Sequence, residues 1–117
     1  MDKKIKTLAN HSEESEKVIE AYLVKKVREY GGICLKYSNP GMTGYPDRVI
    51  LFPDGVTVWV EVKSKGQKPK PIQEIRIKEI RDLGHNVAVV SSKEEVDVLL
   101  QCTKFFHDID TLEIDEL

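Results

Sequence analysis

Val56-Thr57-Val58-Trp59-Val60-Glu61-Val62-Lys63 alternates valine with a different residue four times in succession. Successive side chains of an extended strand point to opposite faces. The four valines therefore share one face, which belongs in a hydrophobic core, while Thr57, Trp59, Glu61 and Lys63 share the other. That second face ends in a carboxylate and an ammonium two residues apart. Just upstream, Pro53-Asp54-Gly55 reads as a turn, so Arg48 to Phe52 is expected to form the antiparallel partner in a hairpin.

Working outward, Ser38 to Pro46 is dense in Ser, Asn, Pro and Gly and reads as an irregular loop, with Ile33 to Tyr37 a short strand before it. Further upstream, Ile19, Leu23, Val27 and Tyr30 recur at helical spacing until Gly31-Gly32. Asn10 to Glu13 is a capping-box-like start for that helix. Downstream of the valine strand, Ser64 to Lys70 is a basic loop, and Pro71 suits the first turn of a helix. That helix runs through Ile72, Ile75 and Ile80 to Leu83-Gly84. Asn86 to Val90 is a buried strand, and Ser92-Lys93-Glu94-Glu95 is a capping box opening a last helix through Val96, Leu99 and Leu100. Helix, three strands, helix, strand, helix predicts an α/β fold, a mixed sheet flanked by helices.

The chain has 117 residues, which suits one domain, with a core expected over about 12–101 and an acidic tail over 102–117. No apolar run reaches the ~20 residues of a membrane span, and the N-terminus lacks a signal-peptide core, so a cytoplasmic protein is expected. Cys34 and Cys102 have no metal-site spacing and read as reduced thiols. His11, His85 and His107 are scattered and are not read as ligands. The formal net charge of −2 hides an uneven distribution. Residues 1–93 carry an excess of five positive charges and residues 94–117 an excess of seven negative ones. Between Lys63 and Arg81, seven basic residues stand against Glu74 and Glu79 alone. Such an excess suits a phosphate backbone, although a Lys-rich loop by itself reads more readily as a solvated face.

Hydrolysis of a phosphodiester with a hard cation needs converging oxygen ligands, a water nucleophile and positive charge near the phosphate. Asp47 begins one strand of the hairpin and Glu61 lies near the far end of the other, so the two carboxylates can meet at one sheet edge. Two acids so placed would repel each other without a cation. Lys63, on the face of Glu61, is positioned to orient or deprotonate water, or to stabilise charge on the phosphate. Taken singly, Glu61 and Lys63 read as a surface ion pair and Asp47 as a turn residue after Pro46. The combination of Gly44-x-Pro46-Asp47, a hairpin and Glu61-Val62-Lys63 is far more specific.

Gly44-Tyr45-Pro46-Asp47-Arg48, then Glu61-Val62-Lys63, a basic loop and Gln73 opening a helix resemble the VRR-NUC branch of the PD-(D/E)xK nucleases, from about Ser15 to Val90. The resemblance implies a restriction-endonuclease-like core in which Asp47, Glu61 and the Val62 carbonyl hold Mg²⁺ or Mn²⁺. It further implies that Lys63 is catalytic and that Gln73 sits beside the site. It also implies a first-helix acid next to the metal. Glu20 borders the buried stripe and has the spacing from Gly31 expected of similar Holliday-junction resolvases, with Glu16 its rival. Lys65, Lys68 and Lys70 are the DNA-binding candidates, and Trp59 is expected to pack under a helix rather than stack on a base. Stand-alone domains of this type are associated with phage and with cleavage of branched DNA such as Holliday junctions, where a two-fold homodimer would present one site to each of two strands. A flap- or restriction-type nuclease and a non-catalytic DNA-binding module of the same fold are the alternatives.

Overall fold

The valine-rich strand lies inside a four-stranded sheet between two layers of helix. In the computed structural model, residues 15–103 are described. The elements are α1 (Glu16–Tyr30), β1 (Ile33–Lys36), β2 (Arg48–Leu51), a single 3₁₀ turn (Pro53–Gly55), β3 (Thr57–Val62), α2 (Pro71–Asp82), β4 (Asn86–Val90) and α3, from 93 to the last described residue at 103. The spatial order is β1-β2-β3-β4. The first three strands are antiparallel neighbours, whereas β3 and β4 run parallel, joined by α2 as a crossover. Among the described residues no helix is long and apolar enough to cross a membrane.

Val58, Val60 and Val62 pack with Ile19, Leu23 and Val27 of α1, with Ile50, Phe52 and Val90 of the sheet and with Val96 of α3. The Tyr22 hydroxyl donates to Asp97 Oδ1 at 2.7 Å, fastening α1 to α3. The opposite face of the sheet packs Ile77 and Ile80 of α2 on Val87, with Tyr45, Trp59 and Val89 around them. Trp59 thus lies under α2, edge-on to the Tyr37 ring at 5.1 Å between centroids. The buried stripe of α2 differs from the expected one, because Ile72 and Ile75 are exposed. Positions 73, 77 and 80 point to the sheet instead, at i, i+4 and i+7, since α2 crosses over β3 and β4 rather than over the hairpin.

Local chemistry sets the element ends. Ser15 accepts from the Val18 amide and caps α1, and Gly31 stops it in a left-handed conformation with φ 102°. The Gly32 amide then donates to Val27 O, closing a Schellman-type end. The expected start at Asn10 to Glu13 lies outside the described residues, as do His11, His107 and the acidic tail beyond 103. At α3, the Glu95 amide donates to Ser92 Oγ, and the Ser91 amide donates to Glu95 Oε1, so the expected cap forms. Cys34 and Cys102 are free thiols.

Candidate active site

The C-terminal end of β3 outruns its antiparallel partner. Pairing of β2 with β3 stops at Arg48–Val60, whereas β3 continues beside β4 to the Val62–Val90 pair. Two features end the β2 ladder there: the chain bends at Asp47, and Pro46 has no amide hydrogen to offer. One step beyond the last pair, Asp47 comes level with Glu61. The Lys63 amide donates to Val90 O at 2.9 Å, so Lys63 turns its backbone to β4. By alternation, the carbonyl of Val62 is directed to the β2 side, where the ladder has already ended.

Glu61 is 1% exposed, an unusual state for a carboxylate. Its Oε1 accepts from Gln73 Nε2 at 3.0 Å and lies 3.5 Å from Lys63 Nζ. Its Oε2 is buried without a hydrogen-bond partner. Burial first, and then the neighbouring charge of Asp47, push the Glu61 carboxyl from 4.5 up to about 7, against the opposing pull of Lys63. Lys63 is itself 9% exposed, its stem enclosed and its ammonium turned toward the carboxylate.

Gln73 is oriented without ambiguity. Its Oε1 accepts the Lys70 amide at 2.8 Å, and a backbone N–H can only donate, so Nε2 must face Glu61. This is half of a capping box at the start of α2. The buried stripe 73-77-80 delivers the same side chain to the sheet.

The loop carrying Asp47 is clamped to α2. Arg76 Nε donates to Thr43 O at 3.0 Å, and its guanidinium lies over the Tyr45 ring at 4.8 Å. The Tyr45 hydroxyl and Arg76 Nη1 both donate to Glu79. Gly44, at φ 95°, passes so close to α2 that a Cβ would stand 2.8 Å from Ile72 Cγ1. Neither Arg76 nor this clamp is apparent from the sequence. The only hint is Gly44 two residues before Pro46, where close backbone approach needs a missing side chain.

The two first-helix acids diverge. Glu20 accepts from Arg48 Nε at 3.2 Å, an ion pair on the α1 face of the sheet. Glu16, one turn earlier, adds only the smallest of the charge effects that raise the Glu61 carboxyl. Lys65, Lys68 and Lys70 are exposed on the loop between β3 and α2.

Among the described residues, no group of three or more His, Cys, Asp or Glu side chains could hold an ion unaided. The donor set at the end of β3 is of another kind: two carboxylates, one with a buried vacant oxygen, and a main-chain carbonyl. Such all-oxygen donors fit a hard divalent cation.

No family sequence model matches the chain. It is 41% identical over 81 residues to the protein named "Putative nuclease p44" of Acyrthosiphon pisum secondary endosymbiont phage 1, a match covering 69% of this chain and 87% of p44. Its structure is similar to a solved one described as a "VRR_NUC domain", with a TM-score of 0.70 and 32% identity, over 75% of this chain and 97% of the other.

Proposed function

Since the chain belongs to the VRR-NUC family of nucleases, we propose that it is a metal-dependent endonuclease that hydrolyses phosphodiester bonds in branched DNA, Holliday junctions above all. One observation carries the metal dependence: Glu61 is buried beside Asp47 with Oε2 lacking any partner. A buried vacant carboxylate oxygen is costly, and a cation satisfies it.

In this reading Asp47, Glu61 Oε2 and the Val62 carbonyl would hold Mg²⁺ or Mn²⁺; no acid of α1 is grouped with them as the side chains stand, and of the two Glu16 is the freer to join, since Arg48 engages Glu20. When bound, the cation supplies Lewis acidity, drawing charge from the phosphate and acidifying water. Gln73 fixes Glu61 through Oε1 and so leaves Oε2 as the oxygen that would meet a cation. Water adds to phosphorus as the ester P–O bond breaks, the nucleophile giving up a proton to solvent and the departing ester oxygen taking one from it. The Lys63 ammonium, 3.5 Å from Glu61 Oε1, meets the charge that develops on the phosphate oxygens. Lys65, Lys68 and Lys70 follow the backbone on one side of the cut.

A homodimer supports paired cutting of a junction. The edge strand leaves Ile33 and Leu35 exposed beside Leu51 of β2, an apolar surface suited to self-association. The setting we assign is the interior of a phage-infected or bacterial cell. A cleavage panel tests the whole reading: four-way junctions, flaps and linear duplex, each with Mg²⁺, Mn²⁺ or Ca²⁺, and Asp47→Ala alongside. The expected result is cutting with Mg²⁺ or Mn²⁺ that favours the junction and disappears in the variant. Equal cutting of all three substrates removes the junction preference, and cutting in excess chelator removes the metal. Sedimentation of the protein alone decides the dimer.

A further inference from the structure

We infer that the outer flank of α1 is a second phosphate track, on which a DNA strand lies as it leaves the catalytic carboxylates on the side away from the Lys65–Lys70 loop. The inference rests on the nuclease reading and extends it to a surface that the basic loop does not include. A groove of about 540 Å³ runs between α1 and the sheet, lined by Lys17, Ala21, Val24, Lys25, Arg28 and Arg48 together with Glu20 and Glu29. Lys17, Ala21, Lys25 and Arg28 follow one another at i, i+4, i+8 and i+11, so they share a flank of the helix. The small side chain of Ala21 keeps the middle of that ridge low.

The charges in the groove are unequally committed. Glu29 pairs with Lys26 and Glu20 pairs with Arg48. Lys17, Lys25 and Arg28 are exposed and have no ion-pair partner among the described residues. The groove therefore presents three uncommitted cations while both of its acids are already neutralised. Its position is as informative as its charge. Arg48, at its floor, directly follows Asp47 in the chain and projects to the α1 face, where Glu20 holds it. The groove thus starts one residue from Asp47, on the α1 face of the sheet edge at which β2 ends, with the carboxylates across that edge. From Lys17 to Arg28 it extends about 16 Å, or about five nucleotide steps along a duplex axis. Glu20 gains a role here: it holds the Arg48 guanidinium at the floor of the groove.

The test replaces Lys17, Lys25 and Arg28 together by Gln, which keeps the helix and removes the charge. Binding to a four-way junction is measured in Ca²⁺ over a range of salt, beside wild type and a Lys65→Ala, Lys68→Ala, Lys70→Ala variant. The expected result is binding about tenfold weaker or more at low salt, with a log–log salt slope shallower by about two to three, near 0.9 per lost contact. Hydroxyl-radical protection is expected to shrink on one side of the cut only, and on the opposite side in the loop variant. An unchanged slope and footprint in the Gln variant, with the loop variant altered, overturns the track and leaves the nuclease reading standing. Failure of the wild-type chain to bind or cut any DNA overturns both.

Discussion

Two acid–base pairs flank the hairpin, and they behave differently. Glu20–Arg48 and Glu61–Lys63 have similar separations, 3.2 and 3.5 Å. The Glu20–Arg48 pair lies where water can solvate the remaining atoms, with side-chain exposures of 23% and 15%. A partly buried pair that keeps contact with water is a weak source of stability. Glu61 is shut off from solvent, with Oε1 held by Gln73 and Lys63 and Oε2 without a hydrogen-bond partner. Ion pairing alone therefore does not mark a catalytic group. Burial combined with an unpartnered carboxylate oxygen sets Glu61 apart, since such a cost is characteristic of functional sites.

The contrast can be broken most forcefully at Glu61. Glu61→Gln keeps the shape but removes the charge, and it should lower cleavage on the order of 10³-fold or more in single-turnover assays. The same variant should be more stable than wild type without metal above pH 7. In the folded protein the Glu61 carboxyl titrates at about 7 rather than 4.5, so the native state holds the proton longer than the unfolded chain. Stability of the metal-free protein should accordingly fall as pH rises from about 4.5 to about 7, by on the order of a few kcal/mol, and stay lower above that. Urea melts at several pH values, with and without Mg²⁺, would show the fall, its recovery with metal and its absence in Glu61→Gln.

Lys63→Ala should come next, with a loss of roughly 10²- to 10³-fold in the chemical step while metal binding, followed by calorimetry, persists. Gln73→Ala frees Glu61 Oε1 and uncaps the Lys70 amide, so a loss of about 10- to 100-fold is expected, together with weaker metal binding. The smallest effect should come from Glu20→Gln: kcat within about tenfold of wild type, with the change confined to KM. This is the outcome for a group that orients Arg48 rather than a cation. A kcat loss equal to that of Glu16→Ala would return Glu20 to the metal.

Much of this was legible in the residues. The valine alternation fixes β3 and its two faces, and through them puts Glu61 and Lys63 on one side. Pro46-Asp47 and the turn at Pro53–Gly55 fix the hairpin that returns Asp47 to Glu61. Glu16 and Glu20 could not be separated, since residues four apart share a helix flank and the choice depends on where β2 places Arg48. The inward face of α2 differs from the expected one because isoleucine at 72, 75, 77 and 80 offers two overlapping stripes. Only the crossover over β3 and β4 selects the one containing Gln73. The clamp of Arg76 on Thr43 and Tyr45 joins residues about thirty positions apart and has no local signature.

Gln73 divides one amide between two tasks, its oxygen on the Lys70 backbone and its nitrogen on Glu61. Opening the first turn of α2 therefore releases the carboxylate in the same motion. Helix ends open more readily than strands in a core, so a hydrogen bond at a helix end also governs the order of the acid. A ligand that binds Glu61 would stiffen that turn, and hydrogen exchange at the start of α2 would then report occupancy at the end of β3.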